Sequence, residues 1–85
     1  ELDLNLLNKI DRCENEIKDM GFDVVRLRVH DKIARIEVEK DDIRRIIDNS
    51  DRIIDLLKSN GFVYITVDIE GFRSGSMDIN INERK

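Results

Sequence analysis

Leu6, Ile10, Cys13, Ile17 and Met20 follow one another at spacings of four, three, four and three, which places five side chains on one stripe of an α-helix. Asp3 or Asn5 can cap its start, because a short polar side chain there accepts from an N–H that the first turn leaves unpaired. Gly21 stands just past the last apolar position, where helices commonly end on a left-handed residue. The period then drops to two. From Asp23 to His30, Val25, Leu27 and Val29 share one face, and Val24, Arg26, Arg28 and His30 share the other. From Ile33 to Glu39, Ala34, Ile36 and Val38 face inward, against an outward set of Ile33, Arg35, Glu37 and Glu39. Asp31-Lys32 between them reads as a tight turn without the usual glycine.

A second helical stretch is expected over Asp41 to Asn60, with Ile43, Ile46, Ile47, Ile54 and Leu57 as its apolar stripe. Asp48-Asn49-Ser50-Asp51 reads as a break, with Ser50 capping a second piece, so one kinked helix and two short ones fit equally well. Gly61-Phe62 repeats the ending Gly21-Phe22, and Phe62 to Glu70 is the most regular alternation, with Val63, Ile65, Val67 and Ile69 on one side. Asp78 to Asn82 has the pattern of a short edge strand, or of a tail that frays over 78–85. The elements predict an α+β fold ordered helix, strand, strand, helix (or two), strand. The expected sheet is three-stranded, mixed or antiparallel, in the spatial order 2-1-3, with the helices on one face and the other face open and charged.

Composition narrows the reading. Eighty-five residues suffice for a single domain, 1–85, but not for a nucleotide-binding domain as well. Hydrophobic and charged residues each make up 40% of the chain, a globular balance with a heavily solvated surface. Fifteen Lys and Arg against 19 Asp and Glu give a net charge of −4, which disfavours tracking a nucleic-acid backbone by charge alone. The apolar runs are too short for a bilayer, the opening acidic residues are not a signal peptide, and a lone Cys13 makes a cytoplasmic location the default. A start at Glu1 rather than Met suggests a piece of something longer.

The outward strand positions carry the candidate chemistry: Arg26, Arg28, His30, Arg35, Glu37, Tyr64, Thr66 and Asp68. Ordinary cross-strand ion pairs on a solvated face would account for them. So would a docking surface, since arginines at i and i+2 project side by side at a spacing suited to a phosphate or carboxylate. Pattern alone does not choose. His30 has no second histidine or cysteine near it and is no zinc site of the usual kind. Cys13, on the apolar stripe, reads as a buried inert thiol, and Glu14 as a helix-surface acid. Arg73, Ser74 and Ser76 offer a guanidinium and hydroxyls for an anion, but no helix follows, so a structured turn is the plainer reading.

Several stretches together resemble a known family. Val25-Arg26-Leu27-Arg28-Val29-His30, Ile33-Ala34-Arg35-Ile36-Glu37-Val38 and Gly71-Phe72-Arg73-Ser74-Gly75-Ser76-Met77, taken in register with both Gly-Phe steps, are similar to the C-terminal region of the ATP-dependent sacrificial sulfur transferases (LarE) of the PP-loop ATP pyrophosphatase superfamily. The resemblance implies an enzyme that activates a carboxylate of a pyridinium mononucleotide with ATP and Mg2+, then donates sulfur from its own cysteine toward a nickel-pincer nucleotide cofactor. It places Arg26 and Arg28 at the substrate phosphate and Glu14 and Glu37 at positions linked to a divalent metal. The family's ATP-binding Ser-Gly-Gly loop and its sacrificial cysteine have no counterpart in this chain, and Cys13 is not that cysteine. Val29 and Asp31 also replace a usual histidine and glycine, which leaves room for a different substrate. The implied role is a non-catalytic, substrate-side domain working with an N-terminal or separate PP-loop ATPase domain on a phosphorylated nucleotide.

Two other readings fit the element order. A bacterial-type KH module for RNA has the same succession of elements, but the Gly-x-x-Gly clamp is missing at Asn49 to Arg52 and the net charge is acidic. An oligomerisation domain would pair its sheet face or third-strand edge with a second copy, and this is compatible with the sulfur-transferase reading.

Overall fold

The computed structural model describes residues 3–73. The 78–85 segment, with its expected edge strand or tail, lies outside them, as do Ser74 and Ser76. Helix α1 runs over Leu4–Lys18, strands β1 and β2 over Val25–His30 and Ile33–Val38, a short 3-10 turn over Lys40–Asp42, helices α2 and α3 over Ile43–Asp48 and Ser50–Ser59, and strand β3 over Tyr64–Val67. Asp3 caps α1, its Oδ1 accepting from the Leu6 N–H at 3.1 Å. The hairpin turns on Asp31, whose φ of 57° is left-handed; aspartate tolerates that region better than most residues. The second helical stretch breaks at Asn49, not through Ser50 capping. Ser50 opens α3, while the Asn49 side chain donates back to the Arg45 carbonyl at 2.8 Å.

The sheet order is β1-β2-β3, which corrects the expected 2-1-3. β1 and β2 form the antiparallel hairpin, with Arg26 opposite Glu37 and Arg28 opposite Arg35. β3 then lies parallel to β2, with Arg35 opposite Thr66. Burial explains the order. A central strand is covered on both sides and both edges, and β2 is that strand: Ala34, Ile36 and Val38 are fully inside, and its outward Glu37 is buried too. β1 leaves Val29 only half-buried, and β3 has no fully buried residue. A strand–helix–strand crossover to a neighbouring parallel strand then requires only the two short helices. The apparent regularity of Phe62 to Glu70 overstated β3, because Val63 and Ile69 are exposed and only Ile65 and Val67 reach the core.

The helices cover one face, as expected, and the core lies between them and the sheet. Cys13 and Ile17 of α1, Ile46 of α2, and Ile53 and Leu57 of α3 meet Val25, Leu27, Ala34, Ile36 and Val38, with Phe22 and Phe62 closing the ends. Burying each larger aliphatic side chain is worth roughly 1.5–3 kcal/mol. Ile53 takes the place expected for Ile54 and Ile47 in this layer, because Ile46, Ile53 and Leu57 follow at spacings of seven and four and share one helical stripe. Gly21 and Gly61, with φ of 110° and 96°, end α1 and α3 as their positions suggest. Each of these helix ends is also held by a cation from another helix. Lys9 donates to the Asn60 carbonyl at 2.8 Å and lies over the Phe62 ring, and Arg45 donates to the Gly21 carbonyl at 2.6 Å and lies over Phe22.

Among the described residues neither sheet edge pairs with a further strand, but the two edges differ. Leu27 turns its N–H away from β2, and the Glu14 carboxylate of α1 accepts it at 2.7 Å. On β3, the Asp68 N–H is spent on Ile36 and the Tyr64 N–H on Lys32, so by alternation Ile65 and Val67 face the open side. Beside that edge a recess of about 190 Å³ is lined mostly by isoleucines, including the exposed Ile47 and Ile54. No described helix is long and apolar enough to cross a membrane.

Candidate anion-binding site

The outward face is a ladder of ion pairs. Arg28 Nε lies 3.2 Å from Glu37 Oε1, and Arg35 Nη2 lies 3.4 Å from Glu37 Oε2, so one carboxylate serves two guanidiniums. Arg35 Nε stands 4.0 Å from Asp68 Oδ2, and Arg73 joins from the far side, 3.5 Å from the same oxygen and 2.7 Å from Glu70. Arg26 is more loosely held, its Nε 3.6 Å from Glu14 Oε2. Short strands with period-two alternation produce this arrangement: every outward residue has an outward neighbour one strand away.

A groove of about 430 Å³ follows the free edge of β1, between α1 and the arginines. Leu7, Ile10, Asp11 and Glu14 form one wall, residues 26–30 the floor, and Arg35 the far rim. The structure therefore brings Arg26, Arg28 and Glu14 to one groove, with His30 at its end. Among the described residues Arg26 makes no hydrogen bond and Arg28 uses only Nε, leaving their remaining donors for a ligand. A guanidinium fork suits the oxygens of a phosphate or carboxylate. Arg73, by contrast, stands on the far side of the ladder, paired with Asp68 and Glu70.

Sequence reasoning placed Arg35 and Asp68 on the outward face but not in the site. The two-residue turn was the available signal for Arg35, since it forces Arg28 and Arg35 into register. Asp68 lies beside Arg35 only because β3 neighbours β2, which the expected strand order concealed.

A divalent metal at Glu14 and Glu37 does not fit these residues. Hard cations need several oxygen donors that can turn toward them. Glu37 is already bound by two guanidiniums, and Glu14 by the Leu27 N–H and Arg26. Among the described residues there is no group of three or more His, Cys, Asp or Glu able to hold a metal ion. Cys13 is buried, and burial pushes its thiol up from the ordinary value, so it stays protonated and unreactive at neutral pH.

No family model matches the chain. It is homologous to part of a pyridinium-3,5-bisthiocarboxylic acid mononucleotide synthase of Lactiplantibacillus plantarum, with 43% identity over 66 residues, 78% of this chain and 24% of that protein. A stretch of that length in an 85-residue chain necessarily includes both arginine strands. Two uncharacterized proteins are also similar, one from Synechocystis sp. (28% identity over 80 residues, 92% of this chain and 30% of that protein) and one from Methanocaldococcus jannaschii (31% over 74 residues, 87% and 29%). The chain thus spans 24–30% of the length of the curated relatives it matches.

Proposed function

We propose that this chain is the substrate-side part of an ATP-dependent enzyme that inserts sulfur into a pyridinium mononucleotide, and that Arg26 and Arg28 hold the substrate's phosphate. The observation that carries the reading is a pair of arginines with unspent donors on the floor of one groove, in a chain 43% identical over 66 residues to an enzyme named for a mononucleotide product. A mononucleotide presents a phosphate monoester, the group that two neighbouring guanidiniums bind best. The chain holds the substrate and does not transform it. Its one cysteine is buried and protonated, so adenylation and sulfur donation fall to a PP-loop ATPase domain elsewhere in the polypeptide or on a second chain, where ATP and Mg2+ also bind.

Titration of the chain with a nucleoside monophosphate is expected to shift the NMR signals of Arg26, Arg28 and their strand neighbours. Arg26→Ala and Arg28→Ala should each weaken binding at least about tenfold, the loss of one charge-assisted contact. Silence of those signals at millimolar ligand would rule the assignment out.

A second reading, assembly through the β3 edge, is favoured by one observation. The recess of about 190 Å³ and the exposed Ile47 and Ile54 lie beside β3 backbone groups that have no strand partner among the described residues. It predicts that light scattering finds a dimer or larger species and that Ile47→Glu returns a monomer. A wild-type chain that stays monomeric at millimolar concentration contradicts it.

A further inference from the structure

Glu37 is the one buried charged residue among the described residues, its side chain only 6% exposed. A carboxylate taken out of water to that degree must be compensated by opposite charge and by hydrogen bonds on both oxygens. Arg28 and Arg35 do this one oxygen each. The converse matters more for ligand binding. Arg28 and Arg35 stand directly opposite each other on paired strands, where like charges repel. One carboxylate offsets one of the two charges. Asp68 is at 4.0 Å, too far for a hydrogen bond, and is shared with Arg73. The buried Nε of Arg35 accordingly donates to nothing. Across the ladder Arg28, Arg35 and Arg73 balance Glu37, Asp68 and Glu70, so what the pair offers at the rim of the groove is its unspent Nη donors, not surplus charge.

We infer that Arg28 and Arg35 act together as one two-guanidinium clamp for a phosphate monoester, and that Glu37 is the positioning residue that holds the two forks side by side, not a metal ligand. The inference rests on the reading of this face as an anion site and adds to it a third arginine and a role for the buried carboxylate. Geometry assigns the roles. Arg26 is half exposed and loosely paired, suited to closing over a ligand. Arg28 and Arg35 are anchored at one atom each, and an anchored guanidinium loses less freedom on binding than a free one.

The test follows arginine Nε–Hε NMR signals of the 85-residue chain during titration with inorganic phosphate and with a nucleoside monophosphate, and separately with Mn2+. The Arg28 and Arg35 signals are expected to move together with a single Kd. Arg35→Lys keeps the charge but not the fork, and should weaken phosphate binding about tenfold. A purely structural Arg35 would change the unfolding temperature of that variant and leave its phosphate Kd alone. Mn2+ should leave the amide signals of residues 36–38 sharp. Unchanged phosphate affinity in Arg35→Lys, alongside a loss in Arg28→Lys, overturns the clamp while sparing the assignment of Arg26 and Arg28. Broadening by Mn2+ centred on Glu37 overturns its positioning role. If no arginine responds to either phosphate probe, the reading of the face and this inference fall together.

Discussion

Glu37→Ala is expected to destabilise the fold by about 2–3 kcal/mol. The substitution removes two charge-assisted hydrogen bonds and leaves Arg28 facing Arg35 with no anion between them. Breaking a fully buried ion pair by deleting one partner costs more than this. Here both arginine side chains are 38% exposed, and water screens part of the repulsion. In a domain of this size such a loss corresponds to a fall of roughly 10 °C or more in Tm. Urea denaturation measures it directly, and Glu37→Gln separates its causes. Glutamine keeps the shape and one acceptor oxygen but not the charge, so most of the loss should persist. A Glu37→Ala variant with the wild-type midpoint would mean that the ladder is solvated decoration.

Gly71→Ala is expected to cost about 2–4 kcal/mol, the sum of a left-handed backbone and a clash that cannot relax. At φ 84° the added Cβ would come within 3.0 Å of the Lys40 N and 3.1 Å of its Cα. Those are backbone atoms of the 3-10 turn, fixed nearby by the Phe72 N–H donating to the Val38 carbonyl at 2.7 Å. Gly61→Ala is the matched control. Its φ of 96° is equally unfavourable, but the nearest atom to the new Cβ is the flexible end of Lys9 at 3.8 Å. It should cost only about 1 kcal/mol. Equal losses in the two variants, by chemical denaturation, would show that close packing against Lys40 plays no part.

Periodicity made much of this fold readable from the chain alone. The Leu6-to-Met20 stripe, the two alternating runs and the glycines at 21 and 61 correspond to α1, the hairpin and two left-handed helix ends. The hairpin register was legible too, because a two-residue turn at Asp31-Lys32 leaves one pairing that keeps the aliphatic residues on one face. Strand order was not. Alternation tells which face a residue takes but nothing about which strand lies next to it. β3 looked strongest because apolar residues fill every second position, yet two of them point into solvent. Ile53 was legible as well: it stands seven residues after Ile46 and four before Leu57 on one stripe, whereas the neighbouring Ile54 lies partly exposed beside it. The candidate site was half visible. Arg26 and Arg28 stand out by spacing, whereas the pairing of Arg35 with Glu37 and Asp68 is a property of the sheet. Homology to part of a mononucleotide synthase supports the direction of the resemblance. The metal inferred for Glu14 and Glu37 finds no suitable donor set among the described residues.

The crossed contacts at the helix ends bear on how the molecule comes apart. Lys9 of α1 secures the end of α3, and Arg45 of α2 secures the end of α1. Neither end can fray without freeing a cation from the carbonyl and aromatic ring that hold it in the other segment. Partial unfolding that peels off one helix is therefore penalised twice, and the helical layer opens as one cooperative unit. Such a layer makes a rigid backing plate. The strand face bearing the arginines is thereby kept in register from behind.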